Sequence, residues 1–523
     1  MKAKKLLIYS ALLCCSLAGM SGCKKKKDEH TLELRNLYFS DWDGEDPYTQ
    51  FIEEKFDVEI KPSSYGYNDW GTQVTGEVNG NTIGDVFHFD LESFNFGNTY
   101  MTWAKGGIIK ALPNDLSKWP KVKAAIESAS NIHSLEVDGK LYGIPIVYNQ
   151  DDPSKDYSTF TYVYRKDWLR QLDASKVHED DVYTWQEFLD IIELFGTTDA
   201  IPGKDYAIGD INWGFPSLTN FYKNSPHCFS LQPDGSVVNN FTTTAYKQGL
   251  DITRDYYGKG YYYQQHEHVN DEKANTESFV GGHLGILYDN FNLENYSKLR
   301  KNVRNGQQNG ISDDALNEWT AIMKVKGPDG NFHLEGSENW FSMTFFNADI
   351  SDAKQEKILD ILDYLLGEEG TRLAIWGKEN SDYIMVDGEP ETLWERKPNG
   401  EYPPISNGAK YLRKMITLSN DTTDYDPFTD QKSYQIIKNW QDAMNTAKNN
   451  NQLVTFMEPA NVKWLSTELK DMYSSALINE GNANALNYCV NTEGYETWDK
   501  YVAKFNIAKW TNTIAEVNRA IGH

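Results

Sequence analysis

The sequence predicts an α/β chain of two or three lobes. Three observations carry this. A strand, a helix and a second strand follow one another over residues 32–60. The same alternation recurs along the chain. The last stretch, about 60 residues, reads as three helices.

Each element has its own reason. Leu32 to Phe39 alternates apolar and polar residues, as a half-buried strand does. Asp46 is placed to cap a helix whose first turn holds Pro47. Val58 to Ile60 is the next strand, which makes a parallel βαβ unit. A helical stretch follows near residues 68–78, then a strand at DVFHFD and a helix at NTYMTWAKGG, stopped by Gly106 and Gly107. Asp138-Gly139 is a hairpin-turn signal. TYVYRKDWLRQL runs from a strand into a helix. Thr184 with Glu187 is a capping box that opens an amphipathic helix. Tyr246 to Tyr257 is a helix closed by Gly258, and VGGHLGILYDN ends in a buried strand. Ile358, Ile361, Leu362 and Leu365 share one helix face.

The first thirty residues have a separate logic. Lys2, Lys4 and Lys5 precede a mostly apolar run, Leu6 to Met20. That run makes about 22 Å of helix, short of a hydrocarbon core of about 30 Å. It reads as a secretory signal over residues 1–22, with Ser21 and Gly22 suited to cleavage. Cys23 follows at once and resembles the lipidated cysteine of bacterial lipoproteins, although Met20 stands where Leu is commoner. The four lysines after it favour anionic headgroups. Acyl chains plus a polybasic stretch supply the two signals a stable anchor needs.

Composition narrows the partners. The formal charge is −25, and about −28 once residues 1–22, with three lysines and no acid, are removed. Such an acidic chain is not built to hold nucleic acid. Beyond Cys23, only Cys228 and Cys489 remain after processing; a bridge between them stays open. Aromatics make up 13% of the chain, with 15 Trp and 32 Tyr, and aromatic faces pack well on the C–H faces of sugars. The chain has no Walker A loop, GxGxxG, GxSxG or HExxH motif. His266-Glu267-His268 reads as an exposed polar loop. No carboxylate pair stands out for glycoside hydrolysis. This pattern favours binding over catalysis.

Several motifs, in order, resemble the carbohydrate-type (family 1) extracellular solute-binding lipoproteins of ABC importers. They are VDGKLYGIP (137–145), VYRKDWLRQL (163–172) with YTWQEF (183–188), YKQGLDITRDYYGKG (246–260), ILDILDYLLGEEG with WGKENSDY (358–383), and KWTNTIAEVNRAI (509–521). The resemblance implies a two-lobed, periplasmic-binding-protein-like (type II) fold with a hinge and an interlobe cleft. It implies an oligosaccharide ligand, permease subunits as partners, a monomer and no reaction. Many large relatives carry a calcium loop after the TW-EF helix. Here that stretch is TTDAIPGKD (197–205), with Thr198 and Ala200 where acidic ligands are expected, so neither a metal nor another cofactor is expected. The expected lobes are 32–150 with roughly 336–400, and 151–335 with roughly 401–523, after a lipidated basic linker at 23–31. Anchoring implies the outer face of the cell membrane and favours a single-membrane (Gram-positive) envelope, where an untethered binder would diffuse away; the envelope type itself stays open from the sequence.

In open α/β sheets ligands bind beyond the carboxyl ends of strands. Residues after predicted strands are therefore the candidate ligand contacts: Trp42, Asp43, Trp70, Phe89, Asp90, Asn149, Trp213, Tyr288, Asn290, Trp340 and Glu379. Arg165 and Asp167 are expected to pair structurally instead. Two other functions remain open from the residues: a lipid-anchored glycan hydrolase and a surface glycan-binding protein that transports nothing.

Overall fold

The computed structural model describes residues 29–66, 70–90, 96–129, 132–148, 157–209, 217–222, 229–263, 272–307, 310–336, 339–386, 388–395, 407–418, 430–456, 475–490 and 497–523. The first lobe is built on six strands: β1 (Thr31–Arg35), β2 (Glu59–Ser63), β3 (Val86–Asp90), β4 (Ile144–Tyr148), β13 (Trp340–Phe346) and β16 (Thr417–Leu418). Their order is β16-β4-β13-β3-β1-β2. β13 runs antiparallel to β3 and β4, while β1 is parallel to β2 and β3, and β16 to β4.

The opening βαβ unit forms as its residues dictate. Leu32 and Leu34 alternate into the core. Asp46 Oδ1 accepts from Tyr48 N and Thr49 N, each at 3.0 Å, at the start of the helix Pro47–Phe56. All five residues of β1 and β2 then pair in parallel register. The first strand is shorter than the alternation suggested. Asn36 turns its side chain onto Tyr38 N (3.0 Å) and opens a 3-10 turn at Leu37–Phe39. Asp138 and Gly139 both take positive φ, 53° and 72°, as a type I′ turn requires between Val137 and Lys140.

The second lobe has five strands in the order β6-β11-β5-β10-β7. They are β5 (Phe160–Tyr164), β6 (Val182–Tyr183), β7 (Tyr206–Gly209), β10 (Leu284–Asn290) and β11 (Ala321–Val325). Here β5 is the antiparallel strand. Helices cover both faces. Lys166–Asp173 and Trp185–Thr197 pack on one, Leu293–Gly306 and Gln431–Asn449 on the other. The capping box at Thr184 and Glu187 is formed. Arg165 Nη2 pairs with Asp167 Oδ2 at 2.5 Å and lies over the rings of Trp168 and Trp319.

Three two-stranded sheets decorate this frame: β8 (Phe229–Leu231) with β9 (Val237–Asn239), β12 (Phe332–Glu335) with β17 (Leu453–Phe456), and β14 (Tyr383–Val386) with β15 (Glu389–Thr392). The final helices, Ser475–Val490, Trp498–Phe505 and Ala508–Ile521, close a further core with β8, β9 and the helix Thr244–Gly258. Phe241, Phe505 and Trp510 meet there ring to ring. Cys489 is buried in it, its Sγ 3.7 Å from Leu250 O; Cys228 lies outside the described residues.

Among the described residues the chain leaves one lobe and resumes in the other three times, between Tyr148 and Tyr157, Gly336 and Asn339, and Leu418 and Asp430. Two crossings are tied together. Ser158 N donates to Glu335 O at 2.8 Å, Tyr157 bridges Gly336, and Tyr148 N donates to Asn339 O at 2.6 Å. The first lobe also keeps Gly408 to Leu418, past the boundary expected near residue 400. Ala409, Leu412, Met415 and Ile416 are buried in its core.

Candidate functional site

The topology puts the working ends of both sheets beside the crossings. β4 and β16 end where the chain leaves the first lobe, and β13 begins where it returns. In the second lobe β5 begins just after a crossing, at the edge where β7, β10 and β11 end. The carboxyl edges of the two sheets therefore adjoin the same hinge, where ligands of such folds bind.

On the first lobe this edge is aromatic. The ring of Trp70 lies 4.6 Å from that of His88, which lies 5.4 Å from Tyr38. Trp70 Nε1 donates to His88 O at 3.3 Å. Burial holds the His88 imidazole down to about 3, so it is neutral near pH 7. Lys414 Nζ stands 5.5 Å from the Tyr38 ring centroid and 5.7 Å from that of Tyr411. Burial lowers its pKa, opposed in part by the negative charges of Glu294 on the second lobe and of Asp41.

The second-lobe edge carries a small crevice, open at its mouth. Phe160, Tyr162 and Tyr288 form one wall. Phe160 stacks on Tyr288 at 6.0 Å, and Tyr162 meets Tyr288 at 4.8 Å. Asn220 Nδ2 donates to Tyr288 Oη at 2.7 Å. The opening lies where β5 and β11 part company, since their ladder ends at Tyr162 and Met323.

The candidates from sequence fall into distinct surroundings. Trp70, Phe89 and Trp340 gather at the first-lobe edge, at 3%, 0% and 2% exposure. Phe89 pairs with Met343 in register, and Asp90 with Ser342. Trp70 opens the helix Trp70–Asn79, within the helical stretch expected near residues 68–78. Trp42 is 4% exposed; its Nε1 donates to Asp46 Oδ2 (2.9 Å) and Thr49 Oγ1 (3.2 Å), and its ring stacks on Tyr411. Asp43 is exposed and accepts from Glu45 N. Tyr288 and Asn290 end β10, where Asn290 Oδ1 accepts from Thr159 Oγ1. Glu379 is exposed beside the β14–β15 hairpin and bridges Tyr383. Asn149, Trp213, Cys23 and the His266–His268 stretch lie outside the described residues.

Sequence reasoning missed Tyr38, His88, Asn220, Lys324 and Lys414. Only the alternation Phe160-Tyr162-Tyr164 gave a local signal for its wall. No group of three or more His, Cys, Asp or Glu side chains gathers for a metal among the described residues. In the loop 197–205, Lys204 Nζ donates to Phe195 O at 2.9 Å and to Gly196 O at 3.4 Å, supplying a cation from the chain itself. No described helix is long and apolar enough to cross a membrane.

Solved structures share this architecture. The alginate-binding protein AlgQ2, solved without calcium ion, superposes with a TM-score of 0.65 at 14% identity, covering 95% of this chain and 99% of that one. The Streptococcus pneumoniae ABC-transporter substrate-binding protein FusA, in complex with kestose, gives 0.64 at 15% identity, covering 94% and 98%. An extracellular solute-binding protein from Bifidobacterium longum subsp. infantis gives 0.64 at 13%, again over 94% and 98%. Identities this low speak for a common two-lobed α/β fold. No curated protein matches the chain. The model of the bacterial extracellular solute-binding proteins, however, matches residues 48–370, more than half of it. The chain belongs to the bacterial extracellular solute-binding protein family.

Proposed function

We propose that this protein captures an oligosaccharide between its lobes outside the cell and delivers it unchanged to an ABC importer permease. The observation that carries this reading is a pair of sheets that turn their carboxyl edges to a shared hinge, with the half-buried rings of Tyr38 and Phe160 at those edges. A sugar is a hydrated ring with apolar C–H faces. Aromatic walls take those faces, and amide or carboxylate groups replace water at the hydroxyls. A micromolar complex requires about 8 kcal/mol net. Closing the lobes over the ligand removes water from both sides and changes the outer surface a permease meets. FusA, similar in fold, was solved with kestose, which supports a sugar as the ligand class.

The test is calorimetry of the purified protein against a panel of neutral and acidic oligosaccharides, with the sugar recovered afterwards. Binding with intact recovery is expected. No binding across the panel, or shortened sugar, defeats the reading; the latter would make the protein a hydrolase. Cys23 is the proposed lipid attachment and a single-membrane envelope the proposed setting, with the basic stretch Lys24–Lys27 against the headgroups. Replacing Cys23 by Ala should release the protein from membranes into the medium. The protein works as a monomer in this reading, and sedimentation at binding concentrations checks that.

A further inference from the structure

The second-lobe crevice has an uneven chemistry that a plain hydroxylated ring does not explain. Three polar side chains that line it each leave a polar atom without a hydrogen-bond partner among the described residues. Asn220 is 5% exposed; its Nδ2 is used by Tyr288, and its Oδ1 has no hydrogen-bond partner. Lys324 makes no side-chain hydrogen bond or ion pair among the described residues, and burial lowers its pKa. His333 Nε2 is held by Asp329 Oδ1 at 2.8 Å, which leaves the buried Nδ1 without a partner. Native proteins seldom leave buried polar atoms unmet, and such atoms mark a ligand or ordered water. The rest of the lining includes the apolar side chains of Phe332, Trp440 and Met444.

An acceptor, a cationic donor and an apolar wall in one small space match a secondary amide with a methyl group. The geometry points to a subsite for the acetamido group of an N-acetylhexosamine residue within the captured oligosaccharide. The amide N–H donates to Asn220 Oδ1, the carbonyl accepts from the Lys324 ammonium, and the methyl lies against the apolar wall. A neighbouring ring hydroxyl donates to His333 Nδ1. The crevice is small and open at its mouth, so it suits a single substituent of a chain that continues in the cleft. This inference rests on the reading of the protein as a sugar binder and adds which substituent it selects.

The experiment uses matched ligands that differ in the acetamido group. N,N′,N″-triacetylchitotriose is compared with cellotriose, and N-acetyllactosamine with lactose, by calorimetry on the purified protein. At least one acetylated member should bind about tenfold or more tighter than its partner, the worth of one or two hydrogen bonds. Lys324→Met and Asn220→Leu should each erase most of that preference, while the melting temperature without ligand reports whether the variants fold; Asn220→Asp serves if the leucine variant does not. Equal affinities within both pairs, or a preference that survives in folded variants, overturns the inference. Binding of kestose with neither acetylated sugar preferred overturns it and leaves sugar capture standing. Binding of no oligosaccharide at all defeats both.

Discussion

Trp42 and Trp70 show how one residue type at similar sequence positions meets different surroundings. Both follow a strand, and both are large enough to stack on a sugar. Trp42 is held inward by two hydrogen bonds to the capping residues of the next helix. Replacing it with Phe should keep the ring contact with Tyr411, lose those bonds and cost about 1–3 kcal/mol of stability. Sugar affinity should stay unchanged; urea unfolding and calorimetry separate the two effects. Trp70 is equally buried, at 3% exposed against 4%, and belongs to the cluster with His88 and Tyr38 at the hinge edge. His88 also gives a pH prediction. Its folded pKa, about 3, lies below the unfolded value, so below pH 6.5 the unfolded chain binds more protons than the folded one. Its contribution to stability is complete above about pH 6.5 and falls progressively as pH drops toward 3. The melting temperature should fall between pH 7 and pH 5, and the fall should be smaller in His88→Gln, which has no proton to gain.

At the scale of elements, local rules and long-range ones divide cleanly. The helix Trp185–Thr197 begins where Thr184 and Glu187 cap each other, and Thr184→Ala should cost about 1 kcal/mol by denaturant unfolding. That effect was legible in four letters. The buried pair Lys354–Asp85 was not. Its Nζ and Oδ2 stand 2.8 Å apart at 3% and 1% exposure, and it ties the start of β3 to the helix Asp352–Leu365. The partners are far apart in sequence, and nothing local announces that they meet. Lys354→Met strands a buried carboxylate and should destabilise the first lobe by about 3–5 kcal/mol; the double variant Lys354→Met with Asp85→Asn should recover part of that. The hairpin turn at Asp138-Gly139 and the cap at Asp46 belong with Thr184 in the first class, since each is decided by residues within a few positions.

Across the whole molecule, the two sheets meet through three chain crossings, and ligand capture depends on how the lobes move about them. A bound oligosaccharide should draw the lobes together, and small-angle scattering should record a smaller radius of gyration with ligand than without. An unchanged radius on saturation would mean that the lobes are already closed or do not hinge. The sequence by itself determined the alternation of strands and helices, the caps, the turns, the basic tract behind Cys23 and the motif order of a solute-binding protein. These depend on dihedral preference and apolar period, which act over a few residues. Tertiary structure decided that Gly408 to Leu418 joins the first lobe, that Trp42 turns inward, and that Asn220, Lys324 and His333 line one crevice. The last three lie on a short 3-10 turn and two separate strands. Only packing of segments more than a hundred residues apart brings Asn220 together with the other two, and no local pattern encodes a meeting of that range.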